Sequence, residues 1–182
     1  IMPKYTKTWI KNESEFEEYE IDEDDVRNWC QTGKESDVLV LVLLYYTGAR
    51  PSELSELKWK HVKVRKNSIA VSIPTKKSGI ARTIFIPLND LTSILVEKSK
   101  IKEKDESVLN MKPWNIRDAI YRITRNEMCP YFFRHNRLTK LANEGVDIYT
   151  LKQFKGAKSL SSVEPYIVKA GSNLKKLVKK LK

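Results

Sequence analysis

The chain has 182 residues, a formal net charge of +11 at pH 7 and 41% hydrophobic residues, a length and apolar content that suit one domain with its own core. Its longest apolar run, residues 38–46, is too short to span a bilayer. Two cysteines, Cys30 and Cys129, exclude a disulfide framework and a cysteine-based metal cluster, and they fit a reducing cytoplasm.

The charge is unevenly distributed along the chain. Nine of the acidic residues lie between positions 13 and 25, whereas residues 26–182 carry 31 basic and 14 acidic residues, a net charge of +17. A body this basic favours a polyanionic partner, most simply nucleic acid, because neutralising phosphates releases condensed counterions. An ordinary lysine-rich solvated surface is the alternative that charge alone leaves open.

Residues 1–20 mix aromatic and charged side chains without clean periodicity, which predicts a linker or arm. The compact domain is predicted to begin near Ile21, where Asp22 can cap a first helix that runs to about Gln31. Residues 36–46 are apolar nearly all round, which predicts a central buried helix.

Thr-Gly at positions 47–48 is predicted to end this helix. Pro51 suits the first position of a new helix, and Glu53 then lies near that helix's positive end. Arg50 is therefore predicted to lie in a tight corner between two helices.

Between residues 62 and 87 the pattern changes to strand-like alternation. The alternating apolar residues are Ile69, Val71, Ile73, Ile84 and Ile86. They flank a turn-like segment, residues 75–81, that contains lysines, which predicts a small antiparallel sheet.

Helical patterns return after the sheet. They cover residues 88–98, 114–124, 131–144 and 148–154, and a last apolar stripe among lysines covers residues 172–182. We therefore predict an α+β fold that is mainly helical with a small three-stranded antiparallel sheet. The predicted division is an arm at residues 1–20, a catalytic domain at 21–168 and a basic helical tail at 169–182.

Four segments together resemble the motifs of tyrosine recombinases of the integrase type. Thr-Gly-Ala-Arg-Pro-Ser-Glu-Leu at residues 47–54 resembles the first arginine motif, and Lys-Lys-Ser-Gly at 76–79 resembles the lysine-bearing hairpin turn. Tyr-Phe-Phe-Arg-His at 131–135 resembles the second arginine motif, and Lys-Gly-Ala at 155–157 stands where relatives have Leu-Gly-His, with Tyr166 at the expected offset. The resemblance covers residues 21–168.

This resemblance implies a DNA breaking-rejoining catalytic domain. It makes Arg50 and Arg134 the pair that binds the non-bridging oxygens of the scissile phosphate. It makes Tyr166 the nucleophile of a 3′-phosphotyrosine intermediate. Lys76 or Lys77 would protonate the 5′-oxygen leaving group, and the two are equally available. The chemistry needs no cofactor and no metal.

Two positions depart from the family pattern. Tyr131 stands in place of the usual histidine before the second arginine, and Ala157 stands in place of the usual histidine or tryptophan after the glycine. We hypothesise that the Tyr131 hydroxyl bonds the phosphate or Tyr166 and that Lys158 replaces the donor lost at 157. The resemblance gives His135 a structural role, with a direct role as the alternative.

Double-stranded DNA is the partner that the resemblance implies, bound by a homo-tetramer on paired sites, with a monomer possible for this fragment. The cytoplasm, near the nucleoid or inside an infected host, is the expected location. Two alternatives stay open: a decayed recombinase that only binds DNA, favoured by Tyr131 and Ala157, and a type IB topoisomerase-like activity. Integration of a viral genome is among the expected roles.

Overall fold

The computed structural model describes residues 20–75 and 80–172. Helix α1 covers Glu23–Thr32, and its N-cap residue Asp22 accepts a hydrogen bond from the backbone N–H of Asp25, as predicted. Helix α2 covers Glu35–Thr47, and residues 39–47 are all buried. This all-round apolar sequence forms the centre of the main core, as predicted.

A short helix and the sheet follow. Helix α3 covers Pro51–Leu54, with proline in its first turn, and a 3₁₀ turn covers Trp59–His61. Strands β1 (Val62–Val64), β2 (Ile69–Ile73) and β3 (Arg82–Ile86) form an antiparallel sheet in the order β1-β2-β3. Every second residue of β3 is buried, which places Arg82 on the same inward face as Ile84 and Ile86.

Five further helices complete the described chain. They are α4 (Ser93–Ile101), α5 (Pro113–Ile123), α6 (Pro130–Asn143), α7 (Ile148–Lys155) and α8 (Glu164–Ser172). Helices α5 and α6 pack on α2, and α8 packs on α6. A second, smaller apolar cluster forms there, made of Leu138, Ala142, Leu151, Val163 and Tyr166. None of the helices within the described ranges is long and apolar enough to cross a membrane.

The fold class predicted from the sequence is confirmed: helices surround one three-stranded antiparallel sheet. The prediction for residues 88–98 was wrong at its start, since α4 begins only at Ser93. Thr92 accepts a hydrogen bond from the Asn89 backbone N–H at 3.0 Å and donates one to the Pro87 carbonyl at 2.8 Å. These local bonds hold residues 88–92 in a turn instead of a helix.

Helix α8 was not predicted at all. The domain bounds predicted near residues 20 and 168 stay predictions, and the predicted helix over 172–182 lies, apart from Ser172, outside the described residues.

Candidate active site

The corner between α2 and α3 presents Arg50. Gly48 ends α2 with a φ of +56°, in the left-handed region that favours glycine, so the chain turns sharply before Arg50. The backbone N–H of Arg50 donates to Glu53 Oε2 at 2.8 Å. The Arg50 side chain is 50% exposed, with Nη1 3.9 Å from Glu53 Oε1. Its guanidinium therefore faces solvent from a fixed backbone position.

Arg134 lies on α6 behind this corner and is buried. Its Nη1 donates to the Gly48 carbonyl at 2.7 Å, and its Nη2 donates to the Lys155 carbonyl at 2.6 Å. These two bonds join the C-terminal ends of α2 and α7. Burial, followed by the positive charge of Arg50, lowers the pKa of Arg134 to about 10. Arg134 still carries its charge at neutral pH, and it lies close enough to Arg50 for the two charges to interact.

A buried ion pair between Arg82 and Glu53 stabilises the corner between α2 and α3. Arg82 donates from Nη1 to Glu53 Oε1 at 3.0 Å and from Nη2 to Glu53 Oε2 at 2.9 Å, and the two side chains are 1% and 7% exposed. Burial alone would raise the pKa of Glu53, but hydrogen bonds from Arg82 and from the Arg50 backbone hold that pKa below its ordinary value. The pair ties the Arg50 corner to strand β3.

The turn at Gly156 touches this pair from the other side. Gly156 ends α7 with a φ of +66°, and a Cβ atom there would lie 2.7 Å from Arg82 Nη1. The Ile80 backbone N–H donates to the Gly156 carbonyl at 3.5 Å. Ile80 directly follows residues 76–79, which include Lys76 and Lys77 and lie outside the described residues. The backbone of Ile80 is thus bound to the Gly156 turn.

Tyr166 lies on α8 and is 7% exposed. The centroid of its ring is 5.1 Å from the centroid of the His135 ring and 5.3 Å from Lys155 Nζ. Lys155 also contacts Arg134, because its carbonyl accepts the hydrogen bond from Arg134 Nη2 at 2.6 Å. The described chain therefore brings Arg50, Arg134 and Tyr166 into one region.

Tyr131 and Lys158, two other candidate site residues, lie at the edge of this region. Tyr131 is 50% exposed, and its ring stacks on His135 with centroids 6.3 Å apart, so His135 contacts the rings of both Tyr131 and Tyr166. Lys158 is exposed, two residues past Gly156. The catalytic roles assigned to all seven candidates stay predictions: those of Arg50, Arg134 and Tyr166 as well as those of Tyr131, Lys158, Lys76 and Lys77.

Three residues of this region were not selected from the sequence. Glu53 and Arg82 carry a signal that was available, since Glu53 is at the third position of a helix and Arg82 alternates with the buried Ile84 and Ile86. Lys155 carried a weaker one, because a lysine in the last turn of a helix is ordinary.

Comparisons with known proteins identify the family of this chain. The model of the phage integrase family matches residues 19–172. Tyrosine recombinase XerA of Pyrococcus furiosus is 30% identical over an alignment 194 residues long, which covers 98% of this chain and 64% of the relative. XerA of Saccharolobus solfataricus is 26% identical over 170 residues, covering 91% of this chain and 56% of the relative. This chain thus spans between half and two thirds of the length of these relatives.

Solved structures have the same fold. A crystal structure of XerA recombinase superposes with a TM-score of 0.68 at 19% identity, covering 90% of this chain and 65% of that one. The catalytic domain of bacteriophage HP1 integrase gives 0.55 at 22% identity, covering 88% and 93%. XerH recombinase bound to its difH substrate, after cleavage, gives 0.64 at 14% identity, covering 87% and 52%.

Proposed function

This chain belongs to the phage integrase family, and we propose that it is the catalytic domain of a site-specific DNA recombinase that works through a 3′-phosphotyrosine intermediate. The observation that carries the proposal is that Arg134 bonds the carbonyls of Gly48, two residues before Arg50, and of Lys155, whose ammonium group lies 5.3 Å from the Tyr166 ring centroid. Phosphoryl transfer needs this set, because charge builds up on non-bridging oxygens while a nucleophile attacks in line.

The two arginines have different tasks at the phosphate. Arg50 is half exposed and can reach a DNA backbone that lies on the surface. Arg134 is fixed by two backbone carbonyls, and since a guanidinium carries five N–H donors, these bonds do not use its full capacity. Planar paired donors fit phosphate oxygens better than a lysine does.

Tyr166 supplies the nucleophile. Its oxygen forms a bond to phosphorus while the bond from phosphorus to the 5′-oxygen breaks, and the phenol proton leaves to solvent or a nearby base. Lys76 or Lys77 protonates the departing 5′-oxygen. Attack by a 5′-hydroxyl reverses these steps and reseals a strand, so no nucleotide cofactor is consumed. The Tyr131 hydroxyl and Lys158 would add donors to the phosphate.

Double-stranded DNA is the proposed partner, bound as a homo-tetramer on paired sites. The net charge of +11 and the DNA-bound state of the similar XerH structure support the DNA partner. Integration, excision or resolution of a replicon would follow from strand exchange between two such sites.

A DNA-binding module without chemistry is the second candidate, because Tyr131 and Ala157 replace two of the family's usual hydrogen-bonding side chains. A pool of nicked duplexes with a randomised site, which traps cleaved product, separates the two at low salt. We expect a covalent protein–DNA adduct from the wild type that disappears in Tyr166→Phe. Tyr149→Phe is the matched control, since Tyr149 is 70% exposed on α7.

Clean binding without any adduct from the wild type would favour the module instead. A type IB topoisomerase-like activity would appear as relaxation of supercoiled plasmid without exchange between two sites.

A further inference from the structure

Lys155 is a charged side chain placed inside the candidate site. It is the last residue of α7 and only partly exposed. The motif that this segment resembles has leucine at this position. Placing an ammonium group where an apolar side chain fits costs desolvation, so the contacts that it makes need an explanation.

Those contacts reach both the phosphate-binding arginine and the nucleophile. The Lys155 carbonyl accepts the hydrogen bond from Arg134 Nη2 at 2.6 Å. Its ammonium donates to the Ser162 carbonyl, four residues before Tyr166. The same Nζ lies 5.3 Å from the centroid of the Tyr166 ring, within the range of a cation–π interaction.

The ammonium group of Lys155 is partly buried and lies near two other positive charges. Burial, then the charges of Arg134 and Arg50, lower the pKa of Lys155. A cation that is held among other cations and bound to one end of the Tyr166 segment is suited to hold that segment in place and to stabilise negative charge on the phenol.

On the basis of the proposed function, we propose that Lys155 is a positioning residue for Tyr166: its ammonium group fixes the residue 162–166 segment against Arg134 and favours the phenolate that attacks DNA. Among the described residues, the chargeable groups that face Tyr166 include Arg134 and His135 on α6 and Lys155 on α7.

The test is single-turnover cleavage of the nicked duplex between about pH 7.5 and 10. We expect Lys155→Met to slow cleavage by about tenfold or more at the lower end, because a phenolate loses its neighbouring cation, and to move the pH profile to higher pH. Affinity for DNA should change less than about threefold. Lys155→Arg should restore most of the rate with the wild-type profile, and Lys152→Met, on the same helix, is the matched control.

Lys155→Leu serves as a second neutral variant, since it carries the residue usual at this position in the motif. Cleavage by both neutral variants at the wild-type rate would overturn the assignment. Equal loss in the neutral variants and in Lys155→Arg, with an unshifted pH profile, would also overturn it, since charge would then play no part.

A readout without DNA separates this inference from the proposed function. Hydrogen exchange of the backbone amides at residues 162–168 should be at least about fivefold faster in Lys155→Met and unchanged in Lys152→Met. A wild type that forms no adduct refutes the proposed function, whereas unchanged exchange at these amides refutes the positioning role.

Discussion

Replacing Gly156 by alanine should lower the free energy of unfolding through two separate effects. The first is conformational: a φ of +66° lies in the left-handed region, where an L side chain costs about 1–2 kcal/mol. The second is steric: the new Cβ would lie 2.7 Å from Arg82 Nη1 and 3.1 Å from the Ile80 carbonyl oxygen. One of these neighbours must move.

The steric cost follows from how tightly Arg82 is held. The end of an arginine usually moves at little cost, but the Arg82 side chain is 1% exposed and donates two hydrogen bonds to Glu53. Losing one hydrogen bond of a buried charged pair costs about 1.5–3 kcal/mol. With the backbone strain, Gly156→Ala should lower the free energy of unfolding by about 2.5–5 kcal/mol.

Urea unfolding followed by circular dichroism measures this free energy. Gly145→Ala is the matched control, because Gly145 has a φ of +87° and nothing within 4 Å of its Cβ position. It should lose only the backbone cost of about 1–2 kcal/mol. If Gly156→Ala is within about 0.5 kcal/mol of this control, the close approach of Arg82 to the Gly156 turn is wrong.

Four further results are expected. Glu53→Gln should lower the free energy of unfolding by about 3–5 kcal/mol at pH 7. Because the folded-state pKa of Glu53 is depressed, its contribution to stability is present above pH 4.5 and is lost on further acidification. In urea unfolding, the difference between wild type and variant should therefore close as the pH falls below 4.5. Arg134→Lys should slow covalent cleavage about a hundredfold or more while DNA affinity in a filter-binding assay changes less than about threefold, since planar paired donors are lost but charge is kept; equal losses in both would contradict this. Tyr131→Phe should slow single-turnover cleavage about fivefold, the value of one hydrogen bond, and a change under about threefold would remove its hydroxyl from the mechanism. A mixture of the Arg50→Ala and Tyr166→Phe proteins should form no covalent protein–DNA adduct on a gel, because the arginine and the tyrosine of one site come from the same chain. An adduct from the mixture would indicate cleavage in trans.

Much of the architecture could be predicted because local chemistry and tertiary packing agree. Residues 39–47 have no polar face and can only be buried, and Gly48 supplies the left-handed residue that ends the helix. Alternation likewise predicted the three strands. Helix α8 was missed because the serines at 159, 161 and 162 are typical of a loop, although Pro165 in its first turn was a usable start signal.

The candidate site residues were predicted by resemblance, but the contacts that hold them in place were not. The spacing of Arg50 and Arg134 in the chain does not reveal that Arg134 hydrogen-bonds the carbonyl of Gly48. That contact exists because α6 packs on the C-terminal part of α2, which is a long-range consequence of the whole core. Lys155 was missed for the same reason, since only the folded chain brings it over Tyr166.

The most direct measurement is peptide mass spectrometry of the trapped protein–DNA adduct after digestion with nuclease and protease. A nucleotide attached to the peptide that contains Tyr166, and absent from every other tyrosine peptide, is the expected result. Attachment at another residue, such as the exposed Tyr131 or Tyr149, would contradict a single site built from Arg50, Arg134 and Tyr166.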